Sequence, residues 1–126
     1  MNLDGWAEAR QLYVATVGRR SGVLRPKWWL VFAVVDGEIH LLEEIGRDAQ
    51  WIKNIEANPK VQVWIEGVAP MPARARIVDG DGDGEAARVR AAIAATELGS
   101  TLQDLVEWGL PVVITPDPIG ETRRTW

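Results

Sequence analysis

Apolar and polar residues alternate with a period of two along several short stretches of this chain, and in three places the spacing becomes helical. Short runs rich in apolar, aromatic and β-branched residues predict strands over 12–17, 28–35 and 39–43, with Asp36-Gly37 forming a tight hairpin between the last two. Lys60-Val61-Gln62-Val63-Trp64-Ile65 and Ala73-Arg74-Ala75-Arg76-Ile77 alternate, so each strand buries one side and wets the other. Pro70 and Pro72 bracket the start of the second, which points to a sheet edge or a bulge. A first helix is expected from Leu3 to Arg10, with Leu3, Trp6 and Arg10 on one face. A second runs from Ala49 to Ala57, capped by Asp48 and ended by Asn58-Pro59, because a residue before proline avoids helical geometry. Trp51 stacks one turn from Ile55, and Trp51 and Asn54 share a face. A third spans 85–98, the stretch 99–109 suggests at most a short helix, and a last strand covers 112–115.

Short strands with helices interposed point to one antiparallel barrel, because closing the sheet removes edges that a small domain would otherwise expose. The length of 126 residues suits a single domain over 1–126, and the apolar content of 47% with 25% charged residues is that of an ordinary globular chain. No repeat or low-complexity linker divides it. The lack of cysteine excludes disulfides and thiolate chemistry and fits a reducing compartment. No apolar run approaches the roughly 20 residues that cross a bilayer, and no basic-then-apolar leader opens the chain, so no membrane span and a cytoplasmic location are the expectation.

Charge changes the picture locally. The net charge of −4 gives no general attraction to nucleic acid, yet Arg19, Arg20, Arg25 and Lys27 fall in a stretch with no acidic residue. Three of these lie in or beside Gly18-Arg19-Arg20-Ser21-Gly22-Val23-Leu24-Arg25, a turn whose glycines let backbone N–H groups approach an anion while guanidinium forks grip phosphate oxygens in pairs. The alternative is an ordinary polar hairpin. Because Trp28-Trp29 and an apolar strand follow directly, the combination favours a bound anion that carries a flat ring.

This turn, followed after two strands by Trp51, Asn54, Ile55 and then Ala57-Asn58-Pro59, resembles the deazaflavin-dependent nitroreductase family of the flavin and deazaflavin oxidoreductases. The resemblance covers Leu12 to about Val78, with a weaker echo from Pro111 to Pro116. The family's turn reads Gly-Arg-Lys-Ser-Gly-x-x-Arg, and Arg20 stands here where lysine is usual. The resemblance implies a mainly β (α+β) fold, a six-stranded antiparallel split β-barrel with peripheral helices, as in pyridoxamine phosphate oxidase. It implies hydride transfer from reduced coenzyme F420 to a small molecule (an activated alkene, quinone or nitro compound), with an FMN-dependent oxidoreductase or a non-catalytic flavin- or deazaflavin-binding protein on the same fold as the alternatives, and a homodimer as a common assembly. By the same resemblance Arg19, Arg20, Ser21 and Arg25 hold the phosphate and acidic tail, and the basic run extends to Lys27. Ile45, Gly46 and Arg47 supply backbone contacts near the ring, and Trp51 and Asn54 close the site. The loop before Trp51 is shorter than in the best-known nitroreductases.

Other motifs compete. Asp79-Gly80-Asp81-Gly82-Asp83-Gly84 matches the first half of a calcium-binding loop, but its twelfth position is Arg90 where a bidentate glutamate is needed. A glycine-rich turn whose last aspartate caps the next helix is the simpler reading. His40, the one histidine, sits mid-strand and suits a structural role better than a metal cluster or triad. Trp28, Trp29, Trp51, Trp64 and Trp108 are expected to be mostly core, with one or two lining a pocket. No catalytic residue is assigned: if protonation of the reduced substrate needs a protein group, Tyr13, Lys27 and Lys53 are the candidates beside water.

Overall fold

The computed structural model describes residues 3–80 and 83–118. Its strands are β1 (Leu12–Val17), β2 (Leu24–Trp29), β3 (Ala33–Val35), β4 (Glu38–Glu43), β5 (Lys60–Trp64), β6 (Met71–Ile77) and β7 (Leu110–Pro116). The helices are α1 (Gln50–Ala57), α2 (Glu85–Ala94) and α3 (Gln103–Trp108). The strands form one sheet in the order β2-β1-β5-β6-β7-β4-β3, antiparallel throughout.

The order itself forces closure. β2 and β3 occupy opposite edges, yet only Leu30, Val31 and Phe32 separate them in the chain. Four residue steps reach at most about 14 Å, whereas the edges of a flat seven-stranded sheet lie about 29 Å apart at the usual spacing of about 4.8 Å. The sheet must curl into a split β-barrel. This also explains why seven strands stand where six were expected: the stretch 28–35 is one apolar run in the sequence, but it crosses from one edge of the sheet to the other and breaks at Leu30.

Two apolar clusters follow from the pleat. Leu12, Val14, Ile39, Leu41, Val61, Val63, Ala73, Ala75, Val112 and Ile114 point into the barrel with Trp51, Ile52 and Ile55 of α1. On the opposite faces of β4 and β7, Leu42 and Val113 pack with Val89 and Ile93 of α2. β4 and β7 are buried on both faces and so lose the clean alternation: β7 carries Val112-Val113-Ile114 and β4 Leu41-Leu42, with His40 and Glu43 of β4 buried as well. Each aliphatic side chain buried this way contributes about 1.5–3 kcal/mol.

Several elements differ from expectation for identifiable reasons. The N-terminal helix reduces to a 3-10 turn at Trp6–Glu8, because Gly5 adopts φ 82° and Ala9 is already extended; Leu3 and Trp6 are buried, while Arg10, expected on their face, is exposed. Asp48 does not cap α1: it lies in the 3-10 turn Gly46–Asp48, and Ala49 is the cap residue. α2 stops at Ala94, where the Thr96 hydroxyl competes for the Ile93 carbonyl at 2.7 Å, a side-chain bond that favours leaving the helix. β6 is interior, between β5 and β7, despite Pro72. That proline lies one residue before the first β6–β7 pair, and its carbonyl accepts the Asp117 N–H, so its missing N–H faces the end of β7 and interrupts little. Stretch 99–109 holds a 3-10 turn at Gly99–Thr101 and then α3. Trp28 and Trp108 are exposed rather than core. Asp83 accepts the Glu85 N–H at 3.0 Å at the start of α2, and Asp79 pairs with Arg47, while Asp81 and Gly82 lie outside the described residues. Among the described residues no helix is long and apolar enough to cross a membrane.

Candidate functional site

A cleft of about 620 Å³ opens between the β1–β2 turn, the inner face of β2 and the first turns of α1. The turn is shaped by its own backbone: Gly22 N–H donates to the Gly18 carbonyl and Gly18 N–H to that of Val23, both at 2.8 Å. The Ser21 hydroxyl accepts the Val23 N–H at 3.1 Å. A methyl group on Gly18 would stand 2.6 Å from that hydroxyl oxygen and 3.1 Å from the Val23 carbonyl, so a side chain there would push the turn open.

Arg19 is the best-fixed of the three arginines that line the cleft. Its guanidinium donates to Asn54 Oδ1 at 2.9 Å and Gln50 Oε1 at 2.8 Å, and its backbone N–H also reaches Asn54 Oδ1 at 3.3 Å. Asn54 is buried and donates its own amide to Thr16 Oγ1 at 3.1 Å. All these acceptors are neutral, so Arg19 is held in place with its charge uncompensated. The ion pairs among the described residues join Lys27 to Glu43, Arg47 to Glu56 and Asp79, and Arg76 to Glu85. None involves Arg19, Arg20 or Arg25, and all three line the cleft.

The other end of the cleft is organised by Glu43, only 3% exposed. Its carboxylate accepts Trp51 Nε1–H at 2.5 Å, the Ile45 N–H at 2.9 Å and Lys27 Nζ–H at 3.4 Å. Lys27 Nζ also sits 5.1 Å from the ring centre of Trp29, whose ring meets Trp51 edge-on at 5.0 Å. Trp51 is therefore both core and cleft wall.

The cleft brings together Arg19, Arg20, Ser21, Arg25, Lys27, Ile45, Trp51 and Asn54 of the sequence-derived set. Gly46 and Arg47 are not among its lining residues, and the Arg47 guanidinium is engaged by Glu56, at 2.8 Å, and by Asp79. Ile45 lines the cleft, and its N–H is already committed to Glu43. Sequence reasoning passed over Thr16, Gln50 and Glu43. A signal existed for two of them: Thr16 and Glu43 are polar residues on the inward phase of strands that are otherwise apolar, after Leu12 and Val14 and after Ile39 and Leu41. His40 sits apart, buried on the α2 side of β4 with Nδ1 unpartnered, and burial pushes its pKa down despite the raising influence of Glu38 and Glu85.

The sequence model of the F420H2-dependent quinone reductase family matches residues 4–117. The chain belongs to this family. Solved structures share the chain's fold at low identity. An F420H2-dependent reductase, FDR-A, aligns at 22% identity and TM-score 0.62 over 86% of this chain and 94% of that one. The heme storage protein HutZ from Vibrio cholerae aligns at 20% identity and TM-score 0.68, covering 94% and 92% of the two chains. A pyridoxamine 5'-phosphate oxidase-like protein from Listeria innocua aligns at 11% and TM-score 0.61, covering 88% and 86%. At these identities the likeness speaks for the split barrel alone. No curated protein matches the chain.

Proposed function

We infer that this family member is a reductase that binds reduced coenzyme F420 in the cleft and reduces an activated alkene, a quinone or a nitro compound. The observation that carries the reading is the set of three guanidiniums, Arg19, Arg20 and Arg25, gathered at one end of a cleft with no carboxylate partner among the described residues. A ribityl phosphate followed by glutamate carboxylates is the kind of anion such forks match, and the family membership supports the deazaflavin. The volume falls in the range of small-molecule sites, and Trp51 gives an apolar wall for a flat ring. When bound, the cofactor supplies the hydride, and the chain's task is to bind, orient and exclude water. Arg20 and Arg25 grip the anion, the turn's packing at Gly18 holds them in register, and Asn54 and Gln50 aim Arg19.

FMN shares the ribityl phosphate, so the turn alone does not separate the two cofactors; the polyanionic tail is what favours F420. A cytoplasmic protein and a homodimer complete the reading, the latter from the exposed Trp28 on edge strand β2. The test is titration with F420 and FMN side by side, followed by tryptophan fluorescence, and then turnover with reduced F420 and a soluble quinone. F420 should quench and turn over. Tighter binding of FMN, or F420 binding without turnover of any acceptor, overturns the reading.

A further inference from the structure

We propose that Lys27 donates the proton that completes reduction of the acceptor, with Glu43 as its positioning residue; the assignment rests on the reductase reading above. A hydride delivered to a quinone leaves an oxyanion, and the reaction finishes only when an O–H bond forms. Transferable protons are scarce around the cleft. Arg19, Arg20 and Arg25 do not release protons in proteins, and the amides of Asn54 and Gln50 are not acids. Trp51 directs its N–H at Glu43, and the hydroxyls of Thr16 and Ser21, which accept from Asn54 and from the Val23 N–H, are aliphatic alcohols and far weaker acids than an ammonium. Two other candidates fall away by position. Tyr13 stacks on Trp64 at 5.4 Å and donates its hydroxyl to Gln11, and neither it nor Lys53 lines the cleft.

Lys27 remains, and its placement suits the task. Its side chain is 42% exposed toward the cleft, while Glu43 holds Nζ from behind at 3.4 Å and the Trp29 ring lies beneath it. An ammonium carries three donors, so the bond to Glu43 leaves protons free to point at a ligand. The pairing also neutralises Lys27, which sets it apart from the three uncompensated arginines and argues against a role in gripping the anionic tail. An ammonium N–H placed beside the developing oxyanion is the general acid that this step requires. In the step the acceptor takes a hydride, two electrons with one hydrogen, as the deazaflavin C–H bond breaks and the cofactor is oxidised. An N–H bond of Lys27 breaks as the acceptor's O–H bond forms, and the neutral amine recovers its proton from water.

The test uses the full chain with Lys27→Met, Lys27→Arg, Glu43→Gln and Arg25→Ala, each checked by thermal melt. Two readouts are compared: the F420 dissociation constant from fluorescence, and kcat with a soluble naphthoquinone. Lys27→Met should bind F420 within about threefold of wild type, while Arg25→Ala weakens it by about tenfold or more. The kcat of Lys27→Met should fall by about 100-fold, the usual weight of a general acid, and recover in part with added ethylamine. Lys27→Arg keeps the charge and the Glu43 contact but cannot release a proton, so it should stay as slow; it serves equally if the methionine variant does not fold. Glu43→Gln should lower kcat and leave F420 affinity near wild type. Wild-type kcat in the Lys27 variants, or a loss of F420 affinity in Lys27→Met as large as in Arg25→Ala, overturns the assignment alone. Wild-type protein that binds F420 and reduces no acceptor overturns the reductase reading and this with it.

Discussion

The two ends of the cleft are built on opposite electrostatic plans. At the turn between β1 and β2, Arg20 and Arg25 have no acidic partner among the described residues, and Arg19 is held by neutral amides. At the Trp51 end, Lys27 is paired, the indole N–H is satisfied, and both converge on one buried carboxylate. An uncompensated cation waits for an anion, whereas a compensated one is fixed in direction. The first end is suited to affinity and the second to orientation, so substitutions at the two ends should fail differently.

The largest effect is expected at the orienting end. Trp51→Ala removes a buried indole from the core and strands the Glu43 carboxylate, and should destabilise the fold by about 3–5 kcal/mol. Denaturant unfolding measures this. A stable variant that merely loses cofactor would make Trp51 a pocket wall and not a core residue. At the gripping end, Arg20→Ala and Arg25→Ala should leave stability nearly unchanged and weaken F420 binding by about 1.5–3 kcal/mol each, the loss shrinking in high salt. Unchanged dissociation constants in both would remove the turn from the site.

Asn54 stands between the two plans. Its buried amide bonds Thr16 and Arg19, so Asn54→Ala should cost about 1–2 kcal/mol of stability and also weaken F420 binding by freeing Arg19. Loss of stability with normal binding would show that Arg19 does not need that anchor. The smallest effect lies outside the cleft. Burial lowers the His40 pKa, so between its ordinary value of about 6.5 and the lower folded value the unfolded chain binds more protons. The stability is present above about pH 6.5 and is lost as pH falls toward the folded pKa. His40→Gln should flatten that part of a Tm-against-pH curve, while a curve identical to wild type would mean another group titrates there.

Local chemistry made much of this molecule legible. The bounds of β1 follow from its run of strand-forming residues, the Asp36-Gly37 hairpin forms with φ of 51° and 77°, and Asn58-Pro59 ends α1. The cleft residues were readable where the chemistry sits in one contiguous turn or on one helix face. What was not readable depended on distant partners. Arg47 was expected to offer a backbone contact, and the place of its side chain, held by Glu56 and Asp79 and not among the residues that line the cleft, depended on those partners, while the 28–35 run looked like one strand until closure of the barrel broke it. Glu43 was visible as a charge in an inward register, but its meaning came only with Trp51 and Lys27 brought to it by two other elements.

The central claim is that uncompensated guanidiniums of the turn hold a polyanionic deazaflavin. Its most direct test is the F420 affinity measured by tryptophan quenching at several salt concentrations, with FMN titrated in parallel. The account predicts that F420 binds more tightly than FMN and that its affinity falls more steeply as salt rises, because more charges are paired. Salt-independent binding, or equal affinity and slope for the two cofactors, would contradict it.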